Sequence, residues 1–373
     1  MIIKNAKVYT EEGNFVQKDI FIKGDKIAAE NNAEHDTDIL DAAGGYLIPG
    51  LTDIHFHGCV GYDFCDGTGE AIDAMAEYEA KNGVTTIAPA TMTLDDERLT
   101  GIFKNASEYT SNHGAALVGI NMEGPYLSLA KKGAQNPAYL RTPSTEHYHR
   151  MQKLSGGLIK LVAIAPEEEG ALEFIKEVKD EVIVSLAHTT ANYETAAKAY
   201  EAGASHLTHL YNAMPPFSHR DPGVIGASFD AEHCHVELIT DGVHVDPSVV
   251  RATYKMFGGD RIILISDSMM ATGLSDGSYS LGGQAVTVKG NKATLADGTI
   301  AGSATNLMKC MQTAVSFGIP LETAVKCAAV NPAKEIGIYG EYGSITPGKY
   351  ANLVLLDKDL QVKQVILKGR MLL

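Results

Sequence analysis

The chain has little that would tie it to a membrane, to nucleic acid or to an oxidising compartment. Across its 373 residues no stretch approaches the ~18 consecutive apolar residues needed to cross a bilayer. The opening MIIKNAKVYT runs directly into strand-like alternation, without the apolar block of a signal peptide. Basic residues are outnumbered, 31 Lys and Arg against 46 Asp and Glu, for a net charge of −15. A nucleic-acid or anionic-membrane partner would select for the opposite sign. The five cysteines (Cys59, Cys65, Cys234, Cys310, Cys327) show no CxxC spacing, and their odd number fits reduced thiols. No GxGxxG opens a helix, and there is no solenoid repeat or low-complexity tract. What remains is an ordinary globular balance, 45% hydrophobic and 21% charged, for which a cytoplasmic location is expected.

The chain that is present changes rhythm twice. Residues 1 to about 46 read as short strands, and Gly343 to Leu373 has the same character. Neither piece carries enough apolar surface to fold alone, so the two are expected to form one small β-sandwich domain, residues 1–49 plus 341–373. Between them, eight apolar runs end near His57, Met92, Glu123, Pro166, His188, Leu210, Asp241 and Asp267. Helix-compatible stretches separate most of these runs, for example Gly69 to Asn82, Asp95 to Thr110, Thr190 to Ala202 and Asp246 to Phe257. Eight strands alternating with helices predict an α/β fold of the (β/α)8 type over residues 50–340. A doubly wound open sheet is the alternative. A hairpin is expected after the eighth strand, turning at Lys289-Gly290-Asn291.

In such a barrel the active site lies at the C-terminal ends of the strands. Leu51 to His57 reads as the first strand, and residues two apart share a side, so His55 and His57 project together past its end. The remaining polar residues at strand ends are Glu123, His188, His209, Asp241 and Asp267. His206 and His209 are three residues apart, so one of the two is expected to face inward. Four imidazoles with up to three carboxylates at one rim would be costly to desolvate together, and one or two divalent ions would remove the conflict. The pairs His147/His149 and His233/His235 lie in a helix-like segment and ahead of a strand, and are not expected to be ligands.

These residues, with Asp53-x-His55-x-His57-Gly58, Glu123-Gly124-Pro125, His209-Leu210-Tyr211-Asn212-Ala213-Met214, Asp241-Gly242-Val243-His244 and the closing Gly343-Ser344-Ile345-Thr346-Pro347-Gly348-Lys349, carry a resemblance. The chain resembles the amidohydrolase superfamily of metal-dependent barrel hydrolases and, within it, the family of N-acetylglucosamine-6-phosphate deacetylases. The resemblance implies Glu123, His188 and His209 as ligands of a principal divalent ion, Zn2+ or Fe2+ first among the choices. His55 and His57 would hold a second, with Glu123 bridging. No lysine closes the run Lys160 to Pro166, which agrees with a glutamate rather than a carboxylated lysine in that place.

The same resemblance implies Asp267 as general base and then acid, and His244 as the group that polarises the acetamide carbonyl. Asn212, the Ala213 backbone and Arg220 would hold a sugar phosphate, with Arg220 reaching in from the neighbouring subunit of a homodimer. Gln135 stands where the family often has histidine; it brings a neutral donor and no charge. The expected reaction is hydrolysis of the acetamide of N-acetylglucosamine 6-phosphate. The galacto epimer, an uncharged amide or cyclic imide, and a non-catalytic metal- or sugar-binding barrel are the competing readings.

Overall fold

A computed structural model describes residues 1–29, 38–110 and 113–372; parts of the expected terminal β structure, 30–37 and 373, lie outside them. Strands Ile2–Tyr9, Phe15–Lys23, Lys26–Ala28, Ile39–Asp41 and Tyr46–Pro49 join Leu353–Leu356, Val362–Leu367 and Arg370–Met371 in one eight-stranded sheet. The two ends of the chain meet where Leu353–Leu356 pairs antiparallel with Tyr46–Pro49, Leu353 opposite Pro49 and Leu356 opposite Tyr46. Strand periodicity of two divides this joint between two cores. Leu47, Leu353 and Leu355 pack with Ile3, Val8, Ile20 and Ile366, whereas Ile48, Val354 and Leu356 belong to the main core. A one-residue slip would exchange all of these side chains, so burial on both faces sets the register.

Gly50 marks the handover to the barrel, since a Cβ there would lie 2.1 Å from Thr85 Oγ1. Barrel strand 1 is Leu51–Asp53, strand 2 Val84–Ile87, strand 3 Ile120–Tyr126 and strand 4 Ile159–Ile164. Strand 5 is Ile183–Leu186, strand 6 His206–Leu207, strand 7 His235–Ile239 and strand 8 Ile262–Ile265. Strands 3 to 8 form one continuous parallel sheet, and strands 1 and 2 pair in parallel beside it. The two remaining seams are closed by backbone contacts just past the strand ends. Ala90 bridges to Asn121 between strands 2 and 3. Asp267 N donates to His55 O at 2.9 Å and His57 N to Ser268 O at 2.7 Å between strands 8 and 1. The ring is closed, as a (β/α)8 barrel requires and a doubly wound sheet does not.

Helices Gly69–Lys81, Asp96–Glu108, Tyr193–Ala202 and Pro247–Phe257 fall where the amphipathic pattern places them. Each starts at a side chain that accepts from the first-turn backbone: Thr68, Asp95, Asn192 and Asp246. The hairpin after strand 8 is Gln284–Lys289 with Lys292–Thr294. Two further strands, Gly277–Leu281 and Ile300–Ser303, extend it to a four-stranded antiparallel sheet; their small and polar residues give little alternation to read.

Candidate active site

Strand 1 ends sooner than its alternation suggests: regular pairing stops at Asp53. His55 and His57 follow in the segment bonded to Asp267 and Ser268, so the seam rather than the pleat aims their rings. Both are buried and face one centre. Two groups of side chains converge there, His55 with His57 and Asp267, and Glu123 with His188 and His209, the ligand atoms of each group within 4.8 Å of one another. Glu123, in the middle of strand 3 rather than at its end, joins the groups. Its Oε1 lies 3.1 Å from His188 Nε2, 3.3 Å from His209 Nε2 and 3.5 Å from His55 Nε2, and its Oε2 3.3 Å from His57 Nε2. Asp267 Oδ1 is 3.4 Å from His57 Nε2 and 3.8 Å from His55 Nε2.

Three of these residues sit in left-handed backbone: His188 at φ 42°, His209 at 29° and Asp267 at 48°. Such conformations cost a non-glycine residue roughly 1–3 kcal/mol and persist where the surroundings impose them. Here each turns a side chain inward two residues beyond its strand. Gly133 serves the same end from the other side. Its φ of +54° is left-handed, and a Cβ would come 3.3 Å from His188 Cε1.

The residues fit a divalent ion. His188 Nδ1 donates to Lys131 O at 2.8 Å, which leaves Nε2 facing His209 Nε2 at 3.0 Å. Among the described residues His55 Nε2 is buried without a hydrogen-bond partner. It and the Nε2 atoms of His57, His188 and His209 surround the Glu123 carboxylate, and imidazole nitrogens and carboxylates converging on one buried point call for a cation. The electrostatics agree. Burial would raise the Glu123 carboxyl, but the His55 charge and hydrogen bonds from His188 and His209 hold it well below the usual carboxylate range. Burial likewise opposes ionisation of Asp267, and the bond from His57 with the charges of His55, His57 and His209 overcomes it.

A second layer of residues escaped the sequence reading. Glu237, on strand 7, takes His55 Nδ1 at 2.8 Å and His206 Nε2 at 3.2 Å. His206 and His209 are thus both buried, His206 spent on carboxylates and His209 on the cluster. The available signal was a lone carboxylate in the otherwise apolar run Val236-Glu237-Leu238-Ile239. Gln135, expected at the substrate, lines the cavity and also bonds its floor and wall: Nε2 donates to Glu123 Oε2 at 2.9 Å and Oε1 accepts from Thr93 N at 2.7 Å. Asp241 accepts from His244 Nδ1 at 2.7 Å. Burial lowers the His244 pKa, but the bond to Asp241 more than restores it.

The cluster floors a cavity of about 500 Å³. Asn212, Ala213 and His244 line it, Lys131 and Lys132 stand at its wall, and Asp297 and Thr299 of the inserted sheet close its rim. Arg220 does not reach it; the side chain borders a separate surface hollow with Asn192 and Tyr193.

A closed (β/α)8 barrel whose strand ends gather four imidazoles and two carboxylates, fit for a cation beneath a polar cavity, defines a metal-dependent barrel hydrolase. The chain belongs to the amidohydrolase family, which it matches over residues 46–372. It is 37% identical over 380 residues to the N-acetylglucosamine-6-phosphate deacetylase of Bacillus subtilis (strain 168), covering 99% of this chain and 96% of the relative. Identity to the N-acetylgalactosamine-6-phosphate deacetylase of Escherichia coli O157:H7 is 32% over 374 residues, 99% of this chain and 98% of that one. The crystal structure of N-acetylglucosamine-6-phosphate deacetylase from Pasteurella multocida superposes with a TM-score of 0.93 at 32% identity, over 99% of this chain and 98% of that one. No helix among the described residues is long and apolar enough to cross a membrane.

Proposed function

We propose that the chain hydrolyses the acetamide of N-acetyl-D-glucosamine 6-phosphate to acetate and D-glucosamine 6-phosphate. The observation that carries the reading is the placement of Asp267, ionised and held inward, beside the imidazole cluster on the floor of the cavity. The names of full-length relatives supply the substrate class. Glu123, His188 and His209 would hold one divalent ion, and His55, His57 and Asp267 a second. Such an ion lowers the pKa of water from 15.7 towards ~7 and polarises a carbonyl oxygen. His and carboxylate ligands suit Zn2+ and Fe2+, and the cell's supply decides between them.

Asp267 accepts a proton from the attacking water as its oxygen adds to the acetamide carbon. It then delivers that proton to the amine nitrogen as the C–N bond breaks, because an amide anion is too basic to leave unprotonated. His244, with Nδ1 fixed on Asp241, presents Nε2–H to the carbonyl oxygen as negative charge builds there. Lys131 and Lys132, with Asn212 and the Ala213 backbone, supply donors for the phosphate within one chain. Arg220 would act on a neighbouring copy, with a homodimer as the working unit; its position outside the cavity of its own chain supports this.

The E. coli O157:H7 relative favours one second reading, the galacto epimer. Acetate release by metal-loaded protein from both N-acetylhexosamine 6-phosphates and from unphosphorylated N-acetylglucosamine tests all readings together. The gluco phosphate should turn over fastest, and Asp267→Asn should lose on the order of 10²–10⁴ in kcat. A homodimer formed from Arg220→Ala and Asp267→Asn chains should regain one competent site. No turnover of any of the three by the metal-loaded wild type would sink the deacetylase reading.

A further inference from the structure

Glu237 accepts three hydrogen bonds on its two carboxylate oxygens. Oε2 accepts from His55 Nδ1 at 2.8 Å and from the His209 backbone N–H at 3.0 Å, and Oε1 from His206 Nε2 at 3.2 Å. Behind it, His206 Nδ1 donates to Glu335 Oε1 at 2.8 Å, and Glu335 Oε2 accepts from His235 Nδ1 at 2.8 Å. The five groups run unbroken from the floor of the site across strands 7 and 6 to helix Asn331–Glu335. His55, His206 and Glu237 are wholly buried; His235, one-third exposed, touches solvent.

We propose that Glu237, braced by His206 and Glu335, is a positioning residue that points the Nε2 lone pair of His55 at the second cation position and so decides whether that position fills. The proposal rests on the reading that the cluster holds divalent ions. His55 Nε2 is a buried atom without a hydrogen-bond partner among the described residues, and the bond on Nδ1 fixes the orientation of the ring that carries it. Nothing braces its neighbour, because His57 Nδ1 has no partner. The second group therefore has one fixed imidazole, His55, just as the first has His188 held by Lys131 O. A carboxylate on the far ring nitrogen also raises the basicity of the nitrogen that binds. His206, between two carboxylates, supplies the positive charge without which two buried anions could not stand in line.

The test counts ions. Metal-free protein is titrated with Zn2+ against a chelating indicator, and stoichiometry is read by elemental analysis. The wild type should bind two ions. Glu237→Gln keeps one oxygen for both His55 Nδ1 and His209 N but removes the negative charge and turns an amide NH2 towards His206 Nε2, so it should weaken the second ion roughly 10- to 100-fold and leave the first within about two-fold. His206→Leu, which touches no ligand, should move the second ion in the same direction, whereas Glu335→Gln keeps an acceptor for His206 and should retain both. Two ions of unchanged affinity in Glu237→Gln and His206→Leu overturn the proposal while leaving the metal reading intact. Equal weakening of both ions overturns it too, as the mark of a general structural role. A wild type that binds no ion fails the metal reading first.

Discussion

Glu79 presents a cost that a single substitution should remove. Helix Gly69–Lys81 buries a stripe of Ile72, Met75, Ala76, Glu79 and Ala80, so a carboxyl occupies a core-facing position. Both of its oxygens are buried without a hydrogen-bond partner. Burial, reinforced by the Asp53 charge, raises its pKa well above the ordinary value. The sign follows from proton linkage. A folded carboxyl that holds its proton more tightly than the unfolded one makes stability fall as pH rises from the unfolded value, ~4.3, towards the folded one. Each pH unit in that window costs about 1.4 kcal/mol, which sets a ceiling near 4 kcal/mol at pH 7. Glu79→Met keeps the length and removes the charge. With an unfolding entropy of about 2.1 cal/mol/K per residue, 4 kcal/mol corresponds to about 5 °C in Tm for a chain of this size. Calorimetric scans of both proteins, equally metal-loaded, should separate by up to about 5 °C at pH 7 and by less at pH 5. A separation that does not change with pH, or a variant less stable than wild type at pH 7, would refute the argument.

Two further outcomes follow from the site. Gln135→Leu removes a charge-assisted bond to Glu123 and leaves the Thr93 N–H bare, so affinity for the ion held by Glu123, His188 and His209 should fall about 10- to 100-fold; equilibrium dialysis that finds it unchanged would show that Glu123 needs no orienting partner. Removal of metal by a chelator should lower Tm by about 5 °C, since an ion present at ~1,000 times its Kd contributes about 4 kcal/mol, and re-addition of Zn2+ should restore it.

The pattern of eight apolar runs was legible because parallel barrel strands are buried on both faces, and such runs stand out between amphipathic helices. His188, His209, Asp241 and Asp267 were legible for the same reason, as polar residues where apolar runs stop. His55 and His57 were found by a periodicity that does not apply to them: strand 1 has already ended at Asp53, and the seam with strand 8 aims both rings. Glu237 was passed over because it lies within an apolar run, where a charge is costly unless a partner distant in the chain offsets it. His55 and Glu237 are 182 residues apart, and no local pattern reports such a pair. Gln135 was assigned to substrate by its position; it lines the cavity and also donates to Glu123, a bond that no local pattern reports.

The sequence by itself determined the alternation of strands and helices, the burial that sets register where the two ends of the chain pair, and the supply of ligand side chains at the strand ends. Those are properties of local periodicity and of polarity at strand ends. The tertiary structure decided which imidazoles are braced and which are left open, which carboxylate joins the two groups, and that Arg220 lies outside its own cavity. Those depend on closing a ring of strands, which brings residues 267 and 55 into backbone contact and turns three side chains inward at left-handed backbone positions.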